Sequence, residues 1–82
     1  MRVRVDIRLK PGVKDSQAET ILSVCNNNPD LGANKIRTLI MGKYFEIELN
    51  ETNKEKAKKI IDDICKKLLT NVVIEDYSVN FK

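Results

Sequence analysis

Residues 2–9 read Arg-Val-Arg-Val-Asp-Ile-Arg-Leu, with an apolar side chain at every second position. Side chains alternate sides along a strand, so Val3, Val5, Ile7 and Leu9 point one way and Arg2, Arg4, Asp6 and Arg8 the other. The segment must therefore be a half-buried β-strand in a sheet with one covered face and one wet face. Pro11-Gly12 ends it. The same alternation leaves no apolar stretch near the N-terminus that could serve as a signal peptide.

What covers the apolar face is also legible. Ser16-Gln17-Ala18-Glu19 reads as a capping box with Ser16 as N-cap. Ala18, Ile21, Leu22 and Cys25 follow at helical spacing, and Asn26-Asn27-Asn28-Pro29 stops the helix. A second box, Thr52-Asn53-Lys54-Glu55, precedes a stripe of Ala57, Ile60, Ile61, Ile64, Cys65, Leu68 and Leu69. Between the helices lie Ile36–Met41, rich in β formers, and Tyr44–Leu49, which alternates. Two strands joined by a tight Gly42 turn is the simplest reading, and one long strand bent at Gly42 is the alternative. A last strand runs from about Val72 to Phe81, with Tyr77, Val79 and Phe81 on one face. The order β-α-β-β-α-β predicts a single α+β domain over residues 1–82. Its form is a ferredoxin-like two-layer sandwich, a four-stranded antiparallel sheet in the order 4-1-3-2 with both helices on one face. On the open face the arginines of the first strand should meet Tyr44, Glu46 and Glu48 of the third.

The residue inventory excludes most chemistry. The 82 residues contain no histidine, which removes the commonest general base and zinc ligand. The two cysteines, Cys25 and Cys65, fall on apolar helical positions and read as buried, reduced thiols. The net charge of +3 is mildly basic. No apolar run is long enough to span a bilayer, so the expected location is the cytoplasm, without membrane association.

Each remaining candidate has a plain alternative. Gly42-Lys43-Tyr44 could hold a phosphate, but it lacks a Gly-rich loop and the Ser or Thr of a P-loop, and a glycine needing positive φ in a hairpin explains it as well. Glu75 and Asp76 are adjacent carboxylates that a strand would direct to opposite faces. Lys54, Lys56, Lys58, Lys59, Lys66 and Lys67 could touch phosphates, but Glu55, Asp62 and Asp63 intervene, which suits a solvated helix face. RNA-recognition domains share this element order and read bases with aromatics on the open sheet face; here only Tyr44 is well placed, so nucleic acid is not the expected partner. Nothing pairs a serine with a base.

Three blocks carry a more specific signal. Arg8-Leu9-Lys10-Pro11-Gly12-Val13-Lys14-Asp15-Ser16-Gln17-Ala18 is similar to "LKxGVxDPQG". Gly42-Lys43-Tyr44-Phe45-Glu46-Ile47-Glu48-Leu49 is similar to "GKYxEIEL". Residues 65–77, ending Asn71-Val72-Val73-Ile74-Glu75-Asp76-Tyr77, are similar to "CxKLLANPVIEDY". In order and spacing they resemble the PurS family, the small subunit of phosphoribosylformylglycinamidine synthase. Ser16, Ala18 and Val72 replace the usual Pro, Gly and Pro, and Ile40 stands where the family commonly has Arg. The resemblance implies a subunit with no catalytic residue and no cofactor of its own, in a complex that uses ATP and Mg. It implies a homodimer or dimer of dimers that bridges a synthetase (PurL-like) and a glutaminase (PurQ-like) subunit and assists ammonia transfer. The expected partner or oligomer contacts are Gly42, Lys43, Tyr44, Asn71, Ile74, Glu75, Asp76 and Tyr77. The alternatives are a small RNA-binding module and a metabolite-binding regulatory module.

Overall fold

The computed structural model describes residues 1–32 and 34–82, which form two compact units, Met1–Pro11 with Gly42–Lys82 and Gly12–Met41. The first unit holds β1 (Arg2–Leu9), β2 (Gly42–Glu48), α2 (Lys54–Ile64) and β3 (Glu75–Phe81); α1 (Ser16–Asn26) belongs to the second.

The described sheet has three strands in the order β2-β1-β3, all neighbours antiparallel, and not the expected four. The α+β character stands, and the observed order matches the expected 4-1-3-2 with its terminal strand missing. That strand was expected at Ile36–Met41, where no strand forms. Two local contacts account for the difference. The Asn26 carboxamide donates to the Ile36 carbonyl (2.9 Å) and accepts from the Ile36 N–H (3.1 Å), so a side chain satisfies the backbone groups that a neighbouring strand would otherwise take. Gly42 is already inside the ladder opposite Arg8, so no hairpin turn exists there for a preceding strand to use.

Gly42 is also a glycine for a different reason than expected. Among the described residues only Gly12 (φ +87°) and Asn34 (φ 69°) have positive φ. At Gly42 an added Cβ would lie 2.6 Å from the Ile7 carbonyl oxygen, so the constraint is close approach to β1 and not a left-handed turn.

The core of the first unit is the apolar face of β1 under α2. Val3, Val5 and Ile7 are buried with Ile61 and Cys65, and Phe45, Ile47, Tyr77, Val79 and Phe81 pack around them. The buried positions Ala57 and Ile61 of α2 and Cys65 just beyond it recur every fourth residue. The stripe is narrower than the sequence suggested, because Ile60 and Leu68 are exposed. Leu68 leaves the stripe because residues Cys65–Leu69 form a π-helical turn, closed by the Thr70 N–H donating to the Cys65 carbonyl at 2.9 Å. A π turn holds more residues per turn than an α turn, so each residue advances by a smaller angle and the α spacing of the stripe is lost. Leu69 keeps its place against the core while Leu68 rotates into solvent.

Both helices are capped, each one residue away from the expected position. Asp15, not Ser16, accepts from the Ala18 N–H at 3.1 Å, and Asn53, not Thr52, accepts from the Lys56 N–H at 3.1 Å. In the second unit α1 ends at Asn26, at the start of the Asn-Asn-Asn-Pro stop. Its Cys25 is half-buried and not buried as expected; both thiols are free.

Candidate functional site

The antiparallel registers bring parts of the three sequence blocks, Arg8–Pro11, Gly42-Lys43 and Asn71–Tyr77, to one end of the sheet. β1 leaves that end at Leu9, β2 begins there at Gly42, and β3 begins there at Glu75. Gly42 and Asp76 flank Arg8 on one row, and Lys43 and Tyr77 flank Ile7 on the next. The Lys10 N–H donates to the Ile74 carbonyl at 2.8 Å, joining the first block to the third.

The chain reverses between the π turn and β3 through Asn71, which acts as a hub. Its side-chain oxygen accepts from the Val73 N–H at 3.2 Å, and its carbonyl accepts from Ile74 N–H (3.1 Å) and Glu75 N–H (2.7 Å). In return the Glu75 carboxylate accepts from the Asn71 N–H at 2.8 Å. Glu75 is the opposite number of Leu9, and its side chain is only 16% exposed. Lys43 reaches across the end of β1 to place its Nζ 3.7 Å from the second oxygen of that carboxylate. Lys43, Asn71 and Glu75, chosen from sequence as contacts, thus also fasten the sheet end to itself.

The other nominated residues divide between faces. Tyr44 lies on the open face opposite Asp6, with the Arg4 guanidinium 4.1 Å from its ring centroid and bonded to Asp6 at 3.1 Å. Arg2 does oppose Glu48 and Arg4 does oppose Glu46, as the alternation required. The ion pairs are redistributed, however: Arg4 takes Asp6, and Glu46 lies 3.7 Å from Lys82. Asp76 is exposed on this face, whereas Glu75 points to the other, so the carboxylates do not share a site. Tyr77 faces α2, and its hydroxyl donates to Asp62 at 3.5 Å. Burial and the nearby Asp62 carboxylate push the Tyr77 hydroxyl above its ordinary value, and they do the same to the Cys65 thiol. A buried thiol held protonated is a poor nucleophile. Among the described residues no cluster of His, Cys, Asp and Glu is arranged to hold a metal ion, and no helix is long and apolar enough to cross a membrane.

The PurS family model, described as phosphoribosylformylglycinamidine (FGAM) synthase, matches residues 2–82. The chain belongs to the PurS family. The FGAM synthase subunit PurS of Thermotoga maritima is 36% identical over 75 residues, covering 92% of this chain and 88% of the relative. The Methanocaldococcus jannaschii PurS subunit is 36% identical over 78 residues, covering 95% and 90%. The crystal structure of M. jannaschii PurS, one of the subunits of formylglycinamide ribonucleotide amidotransferase in the purine biosynthetic pathway, is similar at a TM-score of 0.81 and 37% identity, covering 96% of this chain and 92% of that one. A chain in the structure of PurLQS from T. maritima matches at a TM-score of 0.85 and 33% identity, covering 96% and 93%. Within the family frame, parts of the three blocks named from sequence meet at the sheet end.

Sequence reasoning missed Arg8, Val72 and Val73 as parts of this end. Val72 and Val73 read as the start of a strand because they are β-branched, yet they form the turn before it. The signal available was Asn71: an Asn whose side chain bonds the N–H two residues on makes an Asx-turn, which delays the strand to Glu75.

Proposed function

We propose that this chain is the small subunit of FGAM synthase in purine biosynthesis and that it acts by docking, holding a synthetase and a glutaminase subunit together. The observation that carries the reading is the convergence of parts of the three family-like segments at one sheet end, fastened by Lys43, Asn71 and Glu75. The same end presents Gly42, Ile74 and Asp76, and Tyr44 lies one row inward on the open face. Side chains engaged with one another in this way shape a surface; they are not poised for proton transfer or nucleophilic attack. ATP and Mg act elsewhere in the complex, and this chain binds no cofactor.

Docking is enough to serve the chemistry. Ammonia released from glutamine is largely protonated in neutral water, and ammonium is not a nucleophile. Passing it to an activated amide demands a sealed, water-poor path between subunits. A rigid small subunit supplies surface for that seal. The unpaired outer edges of β2 and β3 in the described sheet suit self-association as a homodimer or dimer of dimers, and the cytoplasm is the location this pathway requires. Reconstitution tests the reading. Synthetase and glutaminase subunits should show glutamine-dependent ATP hydrolysis and FGAM formation that rise on adding this chain. Equal rates with and without it would remove the docking role.

A further inference from the structure

The ladder between β1 and β3 decides which way the main chain of β3 points. The Lys82 N–H donates to the Arg2 carbonyl at 3.0 Å, and the Lys10 N–H to the Ile74 carbonyl at 2.8 Å. In an antiparallel pair such bonds recur at every second residue. Asp76, Ser78 and Asn80 therefore turn their N–H and C=O groups to β1, opposite Arg8, Asp6 and Arg4. Tyr77, Val79 and Phe81 turn theirs outward, to an edge that no strand of the described sheet covers. The strand has no proline, and its register with β1 runs without a bulge, so two common guards against edge pairing are missing. An open groove follows this edge between β3 and α2, lined by Lys54, Lys58, Asp62, Val79 and Phe81. The Lys54 Nζ lies 5.8 Å from the Phe81 ring centroid, and Asp62 accepts from Tyr77. The groove thus has a cation at its Phe81 end and a carboxylate at its Tyr77 end.

This distribution of charge matches a second copy of itself. A second β3 laid antiparallel must set its own outward residues against Tyr77, Val79 and Phe81. With Val79 on the two-fold axis, Tyr77 falls opposite Phe81 of the second copy, and Asp76 opposite its Lys82. Away from the axis, the Asp62 end of each groove meets the Lys54 end of the other. Lys58 alone faces its like, beside the axis. Lys82 lies 3.7 Å from Glu46 within one chain, and its half-exposed side chain can turn to Asp76 instead. Placing the axis at Ser78 would set Asp76 against Asn80 and Phe81 against Glu75, and both matches along the strand are lost. The other sheet edge is not matched to itself: the open face of β2 carries Glu46 and Glu48 and no cation, so paired β2 strands would gather carboxylates.

We propose that the outer edge of β3 pairs antiparallel with the same edge of a second copy, with Val79 on the two-fold axis, so that two sheets become one. This deepens, and rests on, the self-association included in the function proposed above.

Disulfide trapping in the full chain tests it. Ser78 and Asn80 are exposed, so cysteines at these positions should leave the fold unchanged. In the proposed register they face each other across the axis as a non-hydrogen-bonded pair, with Cα atoms about 4.5 Å apart. That separation lies within the reach of a disulfide. The background is Cys25→Ser, since Cys65 is buried. Ser78→Cys combined with Asn80→Cys in one chain should, on oxidation, run mostly at twice the monomer mass without reductant. Ser78→Cys alone should cross-link far less, because each Ser78 faces an Asn80. Light scattering should give the wild-type chain at least a dimer's mass. A double variant that stays unlinked while light scattering shows a dimer overturns this edge as the interface. Efficient cross-linking by Ser78→Cys alone moves the axis to Ser78 and overturns the register. A monomeric wild-type chain overturns both this inference and the self-association beneath it, whereas the docking role is read separately from the reconstitution rates.

Discussion

Gly42→Ala separates a glycine required for contact from one required for conformation. The new Cβ would lie 2.6 Å from the Ile7 carbonyl oxygen and 3.4 Å from Arg8 Cγ. The Arg8 side chain can move away. The Ile7 carbonyl cannot, because Ile7 is 1% exposed and sits in the central strand, with its side chain locked in the core. Overpacking of this kind costs about 1–3 kcal/mol. Removing glycine's extra freedom from the unfolded chain offsets about 0.4–1 kcal/mol of that. The net loss is about 1–2 kcal/mol, which in a domain of this size lowers Tm by roughly 5–15 °C. Urea and thermal unfolding of the variant measure it. The control is Gly42→Asn. Asn tolerates positive φ far better than Ala, so a conformational requirement would make Asn the milder change. A steric requirement makes Asn at least as damaging, since its Cβ meets the same carbonyl. An Asn variant clearly more stable than the Ala variant, or an Ala variant within about 0.5 kcal/mol of wild type (half the smallest net loss expected), would refute the contact account.

Three further outcomes follow from the packing and caps. Ile61 is 0% exposed at the centre of the core, so Ile61→Ala should cost about 2–5 kcal/mol, enough to unfold much of a chain this small at 37 °C; a urea midpoint near wild type would contradict its placement. Asp15→Ala should cost about 1 kcal/mol and Ser16→Ala far less, since Asp15 carries the cap; the reverse order in thermal melts would restore the sequence-based assignment. Cys65 and Tyr77 hold their protons more tightly folded than unfolded, so their contribution is complete below the ordinary values of 9.0 and 10.0 and is lost as pH rises through the higher folded values. Denaturant midpoints should fall progressively above about pH 9, and less steeply in Cys65→Ala with Tyr77→Phe; a flat wild-type profile to pH 10.5 counts against both shifts.

Much of the fold could be read directly because period and burial agree. Arg2–Leu9 alternates so strictly that its strand and its buried face follow, and both are present. Helix starts were located to within one residue, since Asp15-Ser16 and Thr52-Asn53 each offer two adjacent capping side chains and only backbone geometry chooses between them. Ile36–Met41 failed for a nonlocal reason. Its composition favours a strand, but a strand exists only with a partner, and Asn26, ten residues earlier, supplies the bonds at Ile36. The stripe on α2 failed at Leu68 because α periodicity was extended through a turn that is π.

The sheet end was legible in its parts and not in its assembly. Periodicity alone places Glu75 and Asp76 on a strand and reads Gly42-Lys43 as the turn before one, and which of the four share a face depends on two registers that no local pattern fixes. Once β1 lies between β2 and β3, Lys43 and Glu75 fall on the covered side and can pair across it, while Arg8 and Asp76 fall on the open side. That division alters what the nominated residues can do. Glu75, largely enclosed and accepting both the Asn71 N–H and the Lys43 ammonium, shapes the turn that carries Val72 and Val73, so its removal should act on partner binding through that turn. Asp76 and Tyr44, exposed on the open face, would act only where a partner covers that face directly. A Glu75→Gln variant that keeps the Asn71 bond but loses the ion pair should therefore disturb docking less than Glu75→Ala, which loses both; equal effects would mean that the charge, and not the shape of the turn, is what the partner reads.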